Sequence, residues 1–354
     1  MTGEVHQGIY PPGVLHNFQY GTNIKAAAIA LVLQGVMSRE RVHQFLGSLL
    51  QVPISAGTID NWFQEFAEDP LLKLAMERLD SDLLAAPFNG FDETYMWVNG
   101  ILSFGHIACT PEITRVHFSR SKGKKGMEEG DYIQFYDGIA LHDRNNTYFL
   151  FKFKHHVLCV AHLLRELEGV YEDDPKQTWA KRLSLLLKRY IEKRNLAIEA
   201  GQLRFYAPTL KSLRRDFTRL LREGDKQAPP LAKKEAGKKG KPKNDRGRNA
   251  LEHLKKCIEY YLLPYTDFRL PVTNNVSEGG FRMIKVREKI GPCRTERGAT
   301  NFCRAFSYIS TAGKRGVSAV DAIRLALEGT PEKALWPKGE PPPLPQKEAR
   351  DGTG

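Results

Sequence analysis

The stretch Phe88-Asn89-Gly90-Phe91-Asp92-Glu93-Thr94-Tyr95-Met96-Trp97-Val98 is followed by Asn99-Gly100 and a second apolar run, Ile101 to Cys109. Two β-prone segments that meet across Asn-Gly constrain the chain more than any other feature. Both turn residues tolerate positive φ, and a two-residue turn fixes strand register. A hairpin is expected, with Asp92 inside its first strand. Aspartate is disfavoured in strand interiors and costly to bury unpaired. One such carboxylate is an anomaly, and a second and third acid converging on it would make a metal site.

Before the hairpin, residues 1 to about 20 hold Pro11-Pro12-Gly13 and read as an opening loop. Asn23 to Val36 reads as a buried helix, and Ser38 starts a second that carries Val42, Phe45, Leu46, Leu49 and Leu50. Val52-Pro53-Ile54 breaks that helix, and Ser55 caps a third whose apolar face is Ile59, Trp62, Phe63 and Phe66. The last two helices resemble a helix-turn-helix, although the third is poor in Lys and Arg. A helix from Leu71 to Leu84 leads into the hairpin.

After the hairpin come a strand from Ile113 to Phe118, a basic loop from Arg120 to Gly126 containing Lys124 and Lys125, and a short helical segment. A fourth strand is expected from Tyr132 to Leu141, ending at His142-Asp143. A fifth apolar segment, Val157 to Val160, opens a helical region that runs to about Arg222. Residues 231 to 248 hold eight Lys/Arg against two acids, a composition that cannot pack a core and reads as a mobile basic loop. Helix resumes from Asn249 through Tyr261. Thr273 or Asn274 then caps a helix with Glu278 and Arg282 four residues apart on one face. Lys285, Arg287, Lys289 and Arg294 follow as a basic run. A helix from Thr300 to Ala312 and a capping box at Ser318 to Asp321 precede an extended tail beyond Pro331.

The fold class is therefore α+β, with a mixed sheet. Lys and Arg number 53 against 41 Asp and Glu, a net +12 that favours a polyanionic partner, most simply nucleic acid. Lys124, Lys125, Lys285, Arg287, Lys289 and Arg294 are the candidate DNA contacts. Five cysteines form no CxxC pair, which fits reduced thiols. No signal pattern or membrane-length apolar run is present, so a cytoplasmic protein is expected. The absence of GxxxxGK[ST] and GxGxxG argues against a nucleotide cofactor. Cys159 and His162 have ligand-like spacing but no companion pair, which favours a structural role over zinc.

If the first and fourth strands are neighbours, Asp92 and Asp143 point at one spot. Hard divalent cations such as Mg²⁺ need only one or two carboxylates each beside substrate phosphates, and two such ions can stabilise both oxygens of an in-line phosphoryl displacement. Composition does not choose the third acid among Glu278, Glu93, Glu166 and Asp267.

Phe91-Asp92-Glu93-Thr94, Gly138 to Asp143, Leu158 to Leu167, and Asn274-Asn275-Val276-Ser277-Glu278 with Phe281 to Lys285 resemble, in order and spacing, the motif series of the insertion sequence 66 family of DDE transposases. Pro53 to Ile59 upstream and Ser310 to Lys314 downstream match as well, so the similarity covers about residues 20 to 330. The resemblance implies a ribonuclease-H-like catalytic core, split between 85–155 and 251–330 and interrupted by an all-helical insertion over 156–250 with a basic linker at 223–249. An N-terminal helical region over 1–84 and a disordered tail over 331–354 complete the expected organisation. It carries the three acids onto Asp92, Asp143 and Glu278 as metal ligands for two Mg²⁺ or Mn²⁺ ions, with His142, His162, Arg282 and Asn275 as supporting positions. The implied activity is cleavage and strand transfer of double-stranded DNA at element ends, by a nucleoid-associated protein compatible with a homodimer. Thr273, Gly279, Gly280 and Pro292-Cys293 depart from the family pattern, and family members commonly carry further N-terminal sequence. A DNA-binding remnant without catalysis is the alternative.

Overall fold

The structure, a computed structural model, describes residues 20–51, 53–230 and 245–345; the side chains of residues 276 and 278 lie outside the described set. Four helices open it: α1 (Thr22–Leu33), α2 (Arg39–Leu50), α3 (Ala56–Glu68) and α4 (Pro70–Ala85). Their starts follow local chemistry. Ser38 Oγ accepts from the Arg41 amide, Ser55 Oγ from Thr58, and Asp69 Oδ1 from Leu72, each satisfying an amide that the first helical turn leaves unpaired.

The hairpin follows as β1 (Phe88–Val98) and β2 (Ile101–Cys109), with Val98 paired to Ile101 and φ of 52° and 71° at Asn99 and Gly100. Two consecutive left-handed residues are what a two-residue turn between right-twisted strands requires. β3 (Thr114–Ser119) extends the sheet antiparallel to β2. After α5 (Lys124–Glu128), β4 (Ile139–His142) pairs parallel to β1, and β5 (His155–Leu158) pairs parallel to β4. The five-stranded order is β3-β2-β1-β4-β5. The expected strand from Tyr132 to Leu141 is thus four residues long. Asp131 turns the backbone at φ 56°, and Ile133–Phe135 forms a 3₁₀ turn. Tyr136 is buried against Phe91 and Phe153 rather than in a ladder, so an apolar run that reads as a strand is spent on aromatic packing.

The helical region is α6 (Val160–Asp173), α7 (Thr178–Glu199), α8 (Ala207–Gln227) and α9 (Arg246–Thr266). Helix therefore occupies both ends of the expected linker at 223–249: α8 reaches Gln227 and α9 starts at Arg246. Of the expected basic loop over 231–248, residues 231–244 lie outside the described residues, and Arg246 and Arg248 belong to α9. α10 (Asn275–Gly280) and α11 (Arg282–Ile290) replace the single helix expected to carry Glu278 and Arg282, with Phe281 between them. α12 (Glu296–Lys314), α13 (Ala319–Leu327) and α14 (Glu332–Leu335) close the chain. The tail beyond Pro331 is not wholly extended: Ala334 and Leu335 are fully buried, and the Trp336 indole donates to Asp82 on α4. The expected opening loop, up to residue 19, and the end of the tail, residues 346–354, lie outside the described residues.

Two large apolar cores result. One joins α1–α4, the sheet and α11–α14, with Phe63, Phe91, Ile107, Phe302 and Ile323 among its buried members. The other is confined to residues 158–272 and centres on Trp179, Leu183 and Phe217. α3 takes part in the first: its Gln64 and Glu68 accept from Asn301 on α12, and Glu68 pairs with Arg297. The helix-turn-helix-like pair is thus built into the core packing. α12 also closes the β3 edge, where Ser307 and Thr311 hydroxyls accept from the Val116 and Thr114 amides. Among the described residues, no helix is long and apolar enough to cross a membrane.

Candidate active site

Parallel pairing of β1 and β4 sets Gly90 opposite Leu141. Continuing that register by two residues brings Asp92 beside Asp143 at the end of β4, and alternation puts both on the sheet face that carries Gly90. β5 continues the row, since Leu158 pairs with His142 and Cys159 follows at the level of Asp143.

The segment before α10 crosses this same face. The Asn274 amide donates to Cys159 Sγ at 3.2 Å, and its side-chain Nδ2 donates to the Phe91 carbonyl at 2.8 Å. The Val160 amide donates to the Val272 carbonyl at 2.9 Å. Asn274 is fully buried and so ties β1, the β5–α6 junction and α10 together. Two glycines permit the approach. A Cβ on Gly90 would stand 2.5 Å from Ser277 Oγ, and one on Gly280 would stand 2.4 Å from Cδ1 of Ile107, the residue paired with Asp92. Gly280 is thus a point where α10 comes close to β2. Glu278 falls in α10 between these two contacts; its side chain lies outside the described residues.

Asp143 Oδ1 accepts from the Asn145 amide at 2.8 Å, and Asp92 Oδ1 from the Glu93 amide at 2.9 Å. Burial, then the negative charge of Glu93, pushes the Asp143 carboxyl upward from its ordinary pKa, against the opposing pull of the Asn145 amide, His162 and Lys122. Glu93 was a rival for the third acid on sequence alone. The structure puts it next to this pair but on the opposite sheet face by strand alternation, with Asn145, Tyr148 and Lys122 around its carboxylate. Sequence reasoning missed this network; the available signal was a second acid beside Asp92 in a strand interior. Of the other rivals, Glu166 pairs with Arg144 and Asp267 with Arg269.

His142 does not share the Asp143 face. It is fully buried, hydrogen-bonded to His156 at 2.8 Å and packed on Tyr148, and burial pushes its pKa down to about 3. Adjacent strand residues point to opposite faces, so a histidine directly before an outward acid belongs in the core. His162, on α6, joins Asp143 in lining a polar cleft of about 720 Å³ that also includes Arg165 and Glu166.

Arg282 and Asn275 line a second cleft, of about 530 Å³, together with Lys285 and Lys289. Arg287 faces elsewhere: its guanidinium stands 5.8 Å over the Phe302 ring, because two residues along a helix turn a side chain to another face. Lys125 and Arg294 are exposed, and Lys124 pairs with Glu128 at 3.5 Å.

Among the described residues, no three His, Cys, Asp or Glu side chains form a group arranged to hold a metal. Asp92 and Asp143 nevertheless fit a hard divalent cation in donor chemistry: both are oxygen acceptors, the continued β1–β4 register sets them at one level, and Mg²⁺ asks for no more than one or two carboxylates.

The family model for the transposase IS66 family matches residues 17–301. The chain belongs to that family. No curated protein matches it. Membership in the transposase IS66 family makes this a DNA-transposition protein and makes DNA its partner in general terms. The match begins before α1 and ends inside α12, so it takes in every element that builds the acidic face.

Proposed function

We propose that the chain is a DDE-type transposase in which Asp92, Asp143 and Glu278 form the acid set and the mixed sheet is a ribonuclease-H-like core. The observation that carries this is the parallel pairing of β1 and β4 at Gly90 and Leu141, whose continuation sets Asp92 level with Asp143, while the segment into α10 crosses the same face. Asp92 and Asp143 would hold Mg²⁺ or Mn²⁺, with Glu278 as the third acid. When bound, the ions supply charge neutralisation at the phosphoryl oxygens and a water acidic enough to attack.

The chain's own residues position the reaction. Asn274 holds α10 against β1, and the Asn145 amide fixes one oxygen of Asp143. Arg282, Lys285 and Lys289 offer a DNA backbone a row of cations beside α10, and such contacts orient the strand without reading its sequence. Water attacks first at the element end; the freed 3′ hydroxyl then attacks target DNA, and no enzyme nucleophile takes part. Preorganised positioning of this kind accounts for much of the rate in phosphoryl transfer.

The test is nicking of end-bearing duplex DNA in Mg²⁺ or Mn²⁺. Asp92→Asn and Asp143→Asn are each expected to slow nicking by about 10²–10³-fold or more. Equal cutting by the variants overturns the assignment. Salt-sensitive binding with no cleavage by the wild type supports the remnant reading, which the Gly279 and Thr273 departures favour.

A further inference from the structure

We propose that Glu93 is a positioning residue: a buried carboxylate that clamps the loop after β4 and thereby fixes the carboxylate of Asp143. This rests on the reading of Asp143 as a metal ligand. The Glu93 side chain is only 5% exposed although it lies inside a strand. Its Oε1 accepts from Asn145 Nδ2 at 2.8 Å, its Oε2 accepts from the Tyr148 hydroxyl at 2.7 Å, and Lys122 Nζ stands 3.3 Å from Oε1. Asn145 is the residue whose amide holds Asp143 Oδ1 at 2.8 Å, and Asn145 Oδ1 accepts in turn from the Thr147 amide at 3.0 Å. One carboxylate therefore grips both ends of the segment 145–148, and that segment's own backbone grips the acid.

Three donors converge on Glu93, and strand alternation turns it from the face of Asp92. Its oxygens are committed to the loop, which separates it from the ligands it sits beside. A buried carboxylate is costly unless fully hydrogen-bonded, and here the return is a fixed backbone at Asp143. Sequence-adjacent acids thus divide the work: Asp92 faces the metal and Glu93 orients the second strand's ligand. The arrangement has the character of outer-shell partners in metal sites, whose loss typically costs 10–100-fold in affinity.

The experiment is calorimetric titration of the full chain with Mn²⁺, run beside nicking rates as a function of Mn²⁺. Glu93→Gln should bind within about threefold of wild type, because the amide can accept from Asn145 and donate to a reversed Tyr148 hydroxyl. Glu93→Ala should weaken Mn²⁺ binding about tenfold or more. Tyr148→Phe, which keeps the ring in place, should weaken it several-fold and decides the matter if the alanine variant does not fold. Glu93→Gln as damaging as Glu93→Ala would make Glu93 a ligand and overturn the positioning role. Wild-type binding by Glu93→Ala and Tyr148→Phe would overturn it too. A wild type that binds no Mn²⁺, or an Asp92→Asn variant that binds normally, would instead defeat the acid-set reading on which the proposal rests.

Discussion

The two apolar cores are assembled in opposite ways. The first gathers the early and late parts of the chain: α1 packs on α13, Arg78 reaches Glu332 at 2.9 Å, and Arg315 reaches Asp82 at 2.8 Å. The buried members of the second all fall within residues 158–272, with Phe149 packed against them from outside, α7 packed on α6 and α8, and α9 returning to β5. Contacts between distant segments must close long loops, whereas local helix pairs need not. The acidic face lies where the two constructions meet. Asp92 stands on a strand of the first, Cys159 and His162 open the second, and Asp143 directly follows β4, whose Leu141 forms a small cluster of its own with Val157 and Leu270. A site on such a seam is only as well placed as the ties across it, of which Asn274 is the most central.

The largest expected effect separates the cores. Trp179→Ala and Phe63→Ala each remove a fully buried ring and should cost about 3–5 kcal/mol. Hydrogen exchange should then rise mainly in α6–α9 for the first variant and mainly in α1–α4, α12 and α13 for the second. If either variant loosens the whole molecule evenly, the cores are one cooperative unit and the contrast fails. A smaller effect sharpens the seam. Asn274→Ala removes the bond to the Phe91 carbonyl and should cost about 1–2 kcal/mol of stability, yet slow nicking well beyond what the lost folded population explains. A rate that merely follows the folded fraction would mean that Asn274 does not position α10 for chemistry.

Local signals were legible in the sequence. Asn99-Gly100 gave the hairpin, and Ser38, Ser55 and Ser318 gave helix starts, because turn and cap chemistry is decided within four residues. Whether the first and fourth strands are neighbours stayed open in the sequence, because strand pairing is a long-range matter; the sheet order β3-β2-β1-β4-β5 answers it. What escaped depends on distant partners. Tyr132 to Gly138 has strand-like composition but is claimed by an aromatic cluster with Phe91 and Phe153. Leu335 lies in a tail rich in proline, and nothing nearby announces that α4 and α13 bury it. Arg287 belongs to a basic run, yet its position on α11 turns it onto Phe302 while Lys285 and Lys289 face the cleft. The Glu93 clamp draws on Lys122, Asn145 and Tyr148, which no short-range pattern connects.

The claim that Asp92 and Asp143 act as one site is tested most directly by a double-mutant cycle on Mn²⁺ affinity, using Asp92→Asn, Asp143→Asn and the pair together. Shared ligation predicts strong coupling, with the double variant little weaker than either single one. Independent, additive losses, or variants that bind Mn²⁺ as the wild type does, would contradict it.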